Sequence, residues 1–201
     1  MGNEITKEGA KGSRKSTQVK SNKKNELETL AKMTHFDYAE LLNVHKQFIT
    51  EAPEGVIPRN SFRPVLERMG VTDSFLQDLI FRVFDGKRDG VIDFGEFVCA
   101  LSVITRGTAD QKLEFAFRVY DLDGDGYISK PEMSQIMKSF VEVVGGDVVT
   151  FSGKKFESHD QLVDEFFEQM DASGTGRISL AEYKEGAMKN PDIIQGLKLF
   201  A

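Results

Sequence analysis

Asp121-Leu-Asp-Gly-Asp-Gly-Tyr-Ile-Ser-Lys-Pro-Glu132 concentrates four carboxylates in twelve residues. Asp121, Asp123 and Asp125 alternate, so a tightly coiled chain can aim all three at one point. Gly126 follows where the chain must turn sharply, a place a β-carbon resists. Tyr127 offers its main-chain carbonyl, Ser129 a hydroxyl, and Glu132 two more oxygens. A shell built only from hard oxygens suits calcium and offers nothing to zinc or redox metals.

This is the D-x-[DN]-x-[DN]-G-x5-E spacing of an EF-hand calcium loop. Ile128, at position 8, is apolar because paired loops meet there through a short strand. The pattern recurs, with starts at 50, 85, 121 and 171. Asp171 to Glu182 keeps it with neutral oxygens: Asp171, Ser173, Thr175, the carbonyl of Arg177, and Glu182. Asp85 to Glu96 offers Asp85, Asp89, the carbonyl of Val91, Asp93 and Glu96, but places Lys87 at position 3. An ammonium has no lone pair and brings positive charge toward the ion. Four carboxylates argue for binding there and Lys87 argues against it, unless Lys87 swings outward and leaves a water in its place. Thr50 to Ser61 keeps only Gly55 and Ile57. Ala52, Pro58 and Ser61 stand where ligands belong, so this loop should be empty and structural. Affinity follows ligand charge, so the third loop should bind most tightly and the fourth more weakly.

Helices must position these loops, and the sequence marks them. Residues 26–33 read as a short helix. Asp37 with Glu40 forms a capping box, and Phe36 with Leu41 a hydrophobic staple, for a helix to about Ile49. Thr108 with Gln111, and Ser158 with Gln161, open the incoming helices of the last two loops. Leu113, Phe117 and Tyr120, then Val163, Phe167 and Met170, recur at helical spacing. Residues 145–158, rich in glycine and serine, read as a loop. Asn190-Pro191 caps a last helix whose Ile193, Leu197 and Phe200 share a side, with Ile194 beside them. The expected fold is all-α: four EF-hands in two paired lobes, residues 26–105 and 106–201, with short two-stranded β pairings between loops.

The chain has 201 residues, is 40% hydrophobic and carries sixteen Phe and no Trp, enough for a sizeable Phe-packed core. Net charge is −6, which argues against nucleic acid as a partner. The charge is uneven, since residues 1–24 carry seven bases against Glu4 and Glu8, a net of +5 that leaves −11 elsewhere. Residues 1–25 therefore read as a flexible basic arm. Met1 to Thr6 matches the myristoylation signal M-G-x-x-x-[ST] on Gly2. One acyl chain anchors only marginally, and the basic residues behind it can supply the second, anionic-membrane signal. The lone Cys99 lies in an apolar run and reads as a core thiol in a reducing compartment. No nucleophile elbow or phosphate loop accompanies His35, His45 or His159, so an enzyme is not expected.

With one disabled and three recognisable hands, residues 26–200 resemble the neuronal calcium sensor family. The resemblance rests on Pro53-Glu54-Gly55 in a disabled first loop, Ile92-Asp-Phe-Gly-Glu-Phe97, Ala100-Leu-Ser-Val103 with Arg106-Gly107, and Ala116 through Lys130. Ala52 replaces the usual cysteine before Pro53, Lys87 is foreign to the pattern, and the basic arm is long. The resemblance implies a cytoplasmic, peripherally membrane-associated calcium sensor. It would open an apolar groove and take an amphipathic helix of a channel, kinase or cyclase. Candidate groove residues are Phe48, Phe62, Val65, Leu66, Met69, Phe81, Phe84 and Phe97, most of them core when calcium is absent. The alternatives are a regulatory subunit of calcineurin B type, which takes a phosphatase catalytic subunit or a kinase, and a calcium buffer. A buffer barely opens and needs no membrane address, which favours the sensor.

Overall fold

The computed structural model of the chain describes residues 23–144, 148–149, 155–156 and 158–190. Helix α1 covers residues 23–33, starting earlier than the sequence indicates, and buries Leu27 and Leu30. Asp37 then caps α2 (Tyr38–Glu51) through the expected capping box with Glu40. Phe36 and Leu41 are both buried in one cluster, as a staple requires. The helix runs two residues past Ile49 because Thr50 and Glu51 extend the last turn before Ala52, the buried C-cap.

Four helix–strand–helix units follow. Strand β1 (Val56–Pro58) leads into α3 (Arg59–Arg68), and α4 (Ser74–Phe84) leads through β2 (Val91–Asp93) into α5 (Phe94–Arg106). Next, α6 (Ala109–Tyr120) leads through β3 (Tyr127–Ser129) into α7 (Lys130–Val144). Strands β4 (Val148–Val149) and β5 (Lys155–Phe156) precede α8 (His159–Met170), β6 (Arg177–Ser179) and α9 (Leu180–Lys189). Thr108 with Gln111 forms the predicted box on α6, and the Ser158 hydroxyl accepts the N–H of Gln161 on α8.

The strands pair the hands antiparallel, β1 with β2 and β3 with β6. Ile57 faces Ile92 and Ile128 faces Ile178, so the position-8 residues meet as expected. Ile92, Ile128 and Ile178 are fully buried, and each contributes about 1.5–3 kcal/mol. Residues 145–158 correct the loop expectation in part. β4 pairs with β5, Val148 opposite Phe156 and Val149 opposite Lys155. Two adjacent valines favour extended chain strongly enough to pair despite the surrounding glycine and serine.

Each pair of hands closes its own core. The first gathers Leu41, Phe48, Phe94 and Val98 with α1, and the second gathers Leu113, Phe117, Ile128, Met133, Val163, Phe167, Ile178 and Tyr183. A third cluster joins them: Leu76 and Leu79 of α4 pack on Ile136 of α7, flanked by Val119, Tyr120 and Leu122. The arm before residue 23, with Gly2, and the helix expected after Asn190 lie outside the described residues.

Candidate metal centre

Each loop places glycine at its sixth position with positive φ: +81° at Gly55, +86° at Gly90, +88° at Gly126 and +76° at Gly176. An L side chain in this left-handed region costs roughly 1–2 kcal/mol, which accounts for glycine there in all four loops. The turn points successive N–H groups inward, and in the last three loops carboxylates collect them.

In the third loop Asp121 is buried. Its Oδ1 accepts the N–H of Gly124 at 2.7 Å and of Asp125 at 3.1 Å, and its Oδ2 that of Gly126 at 3.0 Å. Asp123 accepts from Asp125, and Asp125 from Tyr127. Glu132, in the first turn of α7, reaches back over the loop. Its Oε1 accepts the N–H of Leu122 and Asp123, and its Oε2 the N–H of Ser129 at 2.8 Å and the Ser129 hydroxyl at 2.6 Å. Burial opposes ionisation of Glu132, but the hydrogen bonds from Ser129, Asp123 and Leu122 outweigh it and hold the carboxyl below its usual pKa. One carboxylate oxygen each from Asp121, Asp123 and Glu132 lies within 4.8 Å of the others. Three converged hard oxygens fit Ca2+. Asp125 is turned instead toward Arg177 of the fourth loop, with which it forms an ion pair.

The fourth loop repeats the scaffold with fewer charges. Asp171 accepts from Thr175 at 3.0 Å and Gly176 at 2.6 Å, and the Ser173 and Thr175 hydroxyl oxygens stand 3.3 Å apart. Glu182 accepts the N–H of Ser173 and both the N–H and hydroxyl of Ser179. Hydrogen bonding to Ser173 first, then to Ser179, lowers its pKa to about 2. Asp171 is also held below its usual value. Its desolvation acts the other way and is outweighed by hydrogen bonds from Gly176, Thr175 and Ser173.

The second loop has the same backbone. Asp85 is buried and accepts from Asp89 and Gly90, Asp89 accepts from Val91, and Glu96 accepts the N–H of Lys87 and Asp93. The Lys87 ammonium is folded inward, not outward. It hydrogen-bonds Asp93 Oδ2 and lies 3.9 Å from Glu96 Oε2. The Asp93 hydrogen bond, before other causes, raises the Lys87 pKa. Burial works to raise the Asp93 pKa, and the Lys87 hydrogen bond helps overcome it, leaving a net lowering. The ammonium thus stands between two residues that a cation would need.

The first loop keeps the turn but not the closure. Gly55 N–H bonds Ala52 O, Pro58 occupies the N-cap of α3 with no side-chain cap, and Ser61 is exposed at position 12. Its visible role is β1, which completes the sheet with the second hand.

The suggested groove residues divide. Phe48, Leu66 and Phe81 are core, while Val65 is 42% and Met69 74% exposed. Phe62, Phe84 and Phe97 continue a row of rings. Phe62 lies 5.7 Å from Phe81 and 5.8 Å from Phe84, and Phe84 stacks on Phe97 at 6.0 Å. Cys99, expected in the core, is half-buried against the first cluster, and that partial burial raises its thiol pKa. No helix among the described residues is long and apolar enough to cross a membrane. The sequence reading missed the cross-hand arginines Arg82, Arg88 and Arg177, since no spacing rule links residues that meet only after the loops pair.

The EF-hand domain pair matches at residues 110–188 and, in a second form, at residues 53–102. The chain is 54% identical over 177 residues to the calcium-binding protein NCSA of Dictyostelium discoideum, covering 88% of this chain and 94% of that protein. It is 33% identical over 174 residues to guanylyl cyclase-activating protein 2 of Gallus gallus, covering 83% and 85%.

Proposed function

The chain belongs to the neuronal calcium sensor family of EF-hand proteins and binds Ca2+; from that premise we propose that it regulates a membrane-associated target according to ion occupancy of its third and fourth loops. The observation that carries this reading is the convergence of Asp121, Asp123 and Glu132 on one point. Asp121, Asp123, Asp125, Ser129, Glu132 and the carbonyl of Tyr127 form the third site. Asp171, Ser173, Thr175, Glu182 and the carbonyl of Arg177 form the fourth. Bound Ca2+ supplies a divalent charge that these oxygens share.

The protein's own residues perform the coupling. Glu132 and Glu182 each sit in the first turn of an exiting helix while bonding N–H groups of the loop before it. Any recentring of those carboxylates therefore pulls on α7 and α9. The target-binding face is the Phe-rich first pair of hands, where Val65 and Met69 already face solvent. Its occupant is an amphipathic helix, and a cyclase is among the target classes, as the name of the second relative suggests. Gly2 carries a myristoyl group, and the basic arm adds attraction to an anionic leaflet.

Hydrophobic-dye fluorescence with and without Ca2+, together with sedimentation on anionic vesicles, tests the reading. A calcium-dependent rise in dye signal and loss of vesicle binding in Gly2→Ala are expected. A dye signal indifferent to Ca2+ would identify a buffer.

A further inference from the structure

The third loop is ringed by cations that belong to other hands. Arg82, in the last turn of α4, is partly buried and donates through Nη1 to Leu122 O and through Nη2 to Val119 O at 3.3 Å. Arg88 lies so close to Gly124 that a β-carbon there would stand 2.6 Å from its Nη2. Arg177 pairs with Asp125 Oδ2, and its Cζ lies 4.5 Å from the Tyr127 ring centroid. Two arginines of the second hand and one of the fourth therefore touch positions 2, 4, 5 and 7 of the third loop.

Arg88 makes the arrangement more telling. It occupies the fourth position of its own loop, where the third and fourth loops use Gly124 and Gly174, and it holds φ at +58°. Non-glycine residues seldom adopt that conformation, and here it belongs to a side chain that reaches the neighbouring loop. Each guanidinium brings donors and no acceptor, so it can only compete with a cation and never ligate it. Burial, then the neighbouring Arg88, draws the Arg82 pKa down, while Asp121 and Glu132 draw it up; Arg82 thus sits in the field of two of the third loop's ligands.

We propose that these arginines set the calcium affinity of the third loop, Arg82 and Arg88 by bracing its calcium-free form and adding positive charge beside the ion, and Arg177 by competing with the ion for Asp125. The inference rests on the third loop being a calcium site. It makes affinity and calcium-free stability move in opposite directions when an arginine is removed. An arginine that merely supported the loop's shape would move them together.

The test uses the full chain carrying Glu182→Gln, so that titration calorimetry reads the third loop, with Arg82→Gln, Arg88→Gln or Arg177→Gln added singly. Arg177→Gln keeps the main-chain carbonyl of the fourth loop. Removing the exposed Arg177–Asp125 pair should tighten Ca2+ binding roughly 1.5- to 5-fold, and Arg82→Gln and Arg88→Gln should tighten it in the same direction. The gain should shrink in 1 M salt, where screening acts within about 3 Å. Calcium-free Arg82→Gln and Arg177→Gln proteins should melt at lower temperature than their parent. Arg177→Lys, which keeps the charge, should bind within about 1.5-fold of the parent by the same reckoning. Affinity unchanged or weakened in all three glutamine variants would overturn the proposal and leave the arginines as braces. A parent Glu182→Gln protein that binds no Ca2+ would overturn the assignment of the site, and with it this inference.

Discussion

Lys87→Asp should create a third calcium site. The second loop already has the scaffold of the third: Glu96 bonds the N–H groups of Lys87 and Asp93 as Glu132 bonds those of Asp123 and Ser129. What differs is the ammonium between Asp93 and Glu96. Its side chain is 58% exposed, so the ion pair itself contributes only about 0.2–1 kcal/mol. Its effect on an incoming divalent ion is larger. Two unit charges about 4 Å apart in water interact by about 1 kcal/mol, so a divalent ion and an ammonium at that separation repel by about 2 kcal/mol. Removing the ammonium alone should tighten binding roughly 30-fold, since about 1.4 kcal/mol is tenfold. Lys87→Gln tests that step, and Lys87→Asp adds a ligand with its charge. Titration calorimetry should count two ions in the unsubstituted protein and three in Lys87→Asp, with Lys87→Gln raising the weakest affinity. Three ions before any substitution, or two after Lys87→Asp, would refute the reasoning.

Glu132→Gln should remove the tighter of the two calcium-binding steps and Glu182→Gln the weaker, as calorimetry on the single variants can resolve. Glu182 has its pKa lowered from 4.5 to about 2, so its hydrogen bonds stabilise the calcium-free fold above about pH 4.5 and lose that effect as pH falls toward 2. Melting temperature should accordingly depend less on pH over that window in Glu182→Gln. Ile128→Ala removes a fully buried side chain opposite Ile178 and should cost about 2–5 kcal/mol in denaturant unfolding, with a disturbed fourth loop as well as the third.

The parts of this molecule that obey short-range rules were legible in the sequence. Asp37 with Glu40 and Thr108 with Gln111 lie three residues apart, and their caps form as written. Ile128 announces a strand partner by being apolar in an acidic loop, and Ile178 answers it. Local reading weakened where signals competed, as at Val148–Val149, whose β preference prevailed over nearby glycine and serine. It failed for long side chains that choose partners only after the hands assemble. Arg82 reaches across 40 residues to Leu122 and Arg177 across 52 to Asp125. No spacing in a twelve-residue motif could encode either contact. Their consequence is energetic as well as structural. Counting carboxylates treats each loop as alone in water, and on that count the third loop outranks the fourth. The folded chain turns Arg177 away from its own loop and onto Asp125, taking a cation from beside the fourth site and placing it at the third. The third and fourth loops should therefore lie closer in affinity than their ligand charges indicate, and Arg177→Gln should widen the gap between them in titration calorimetry.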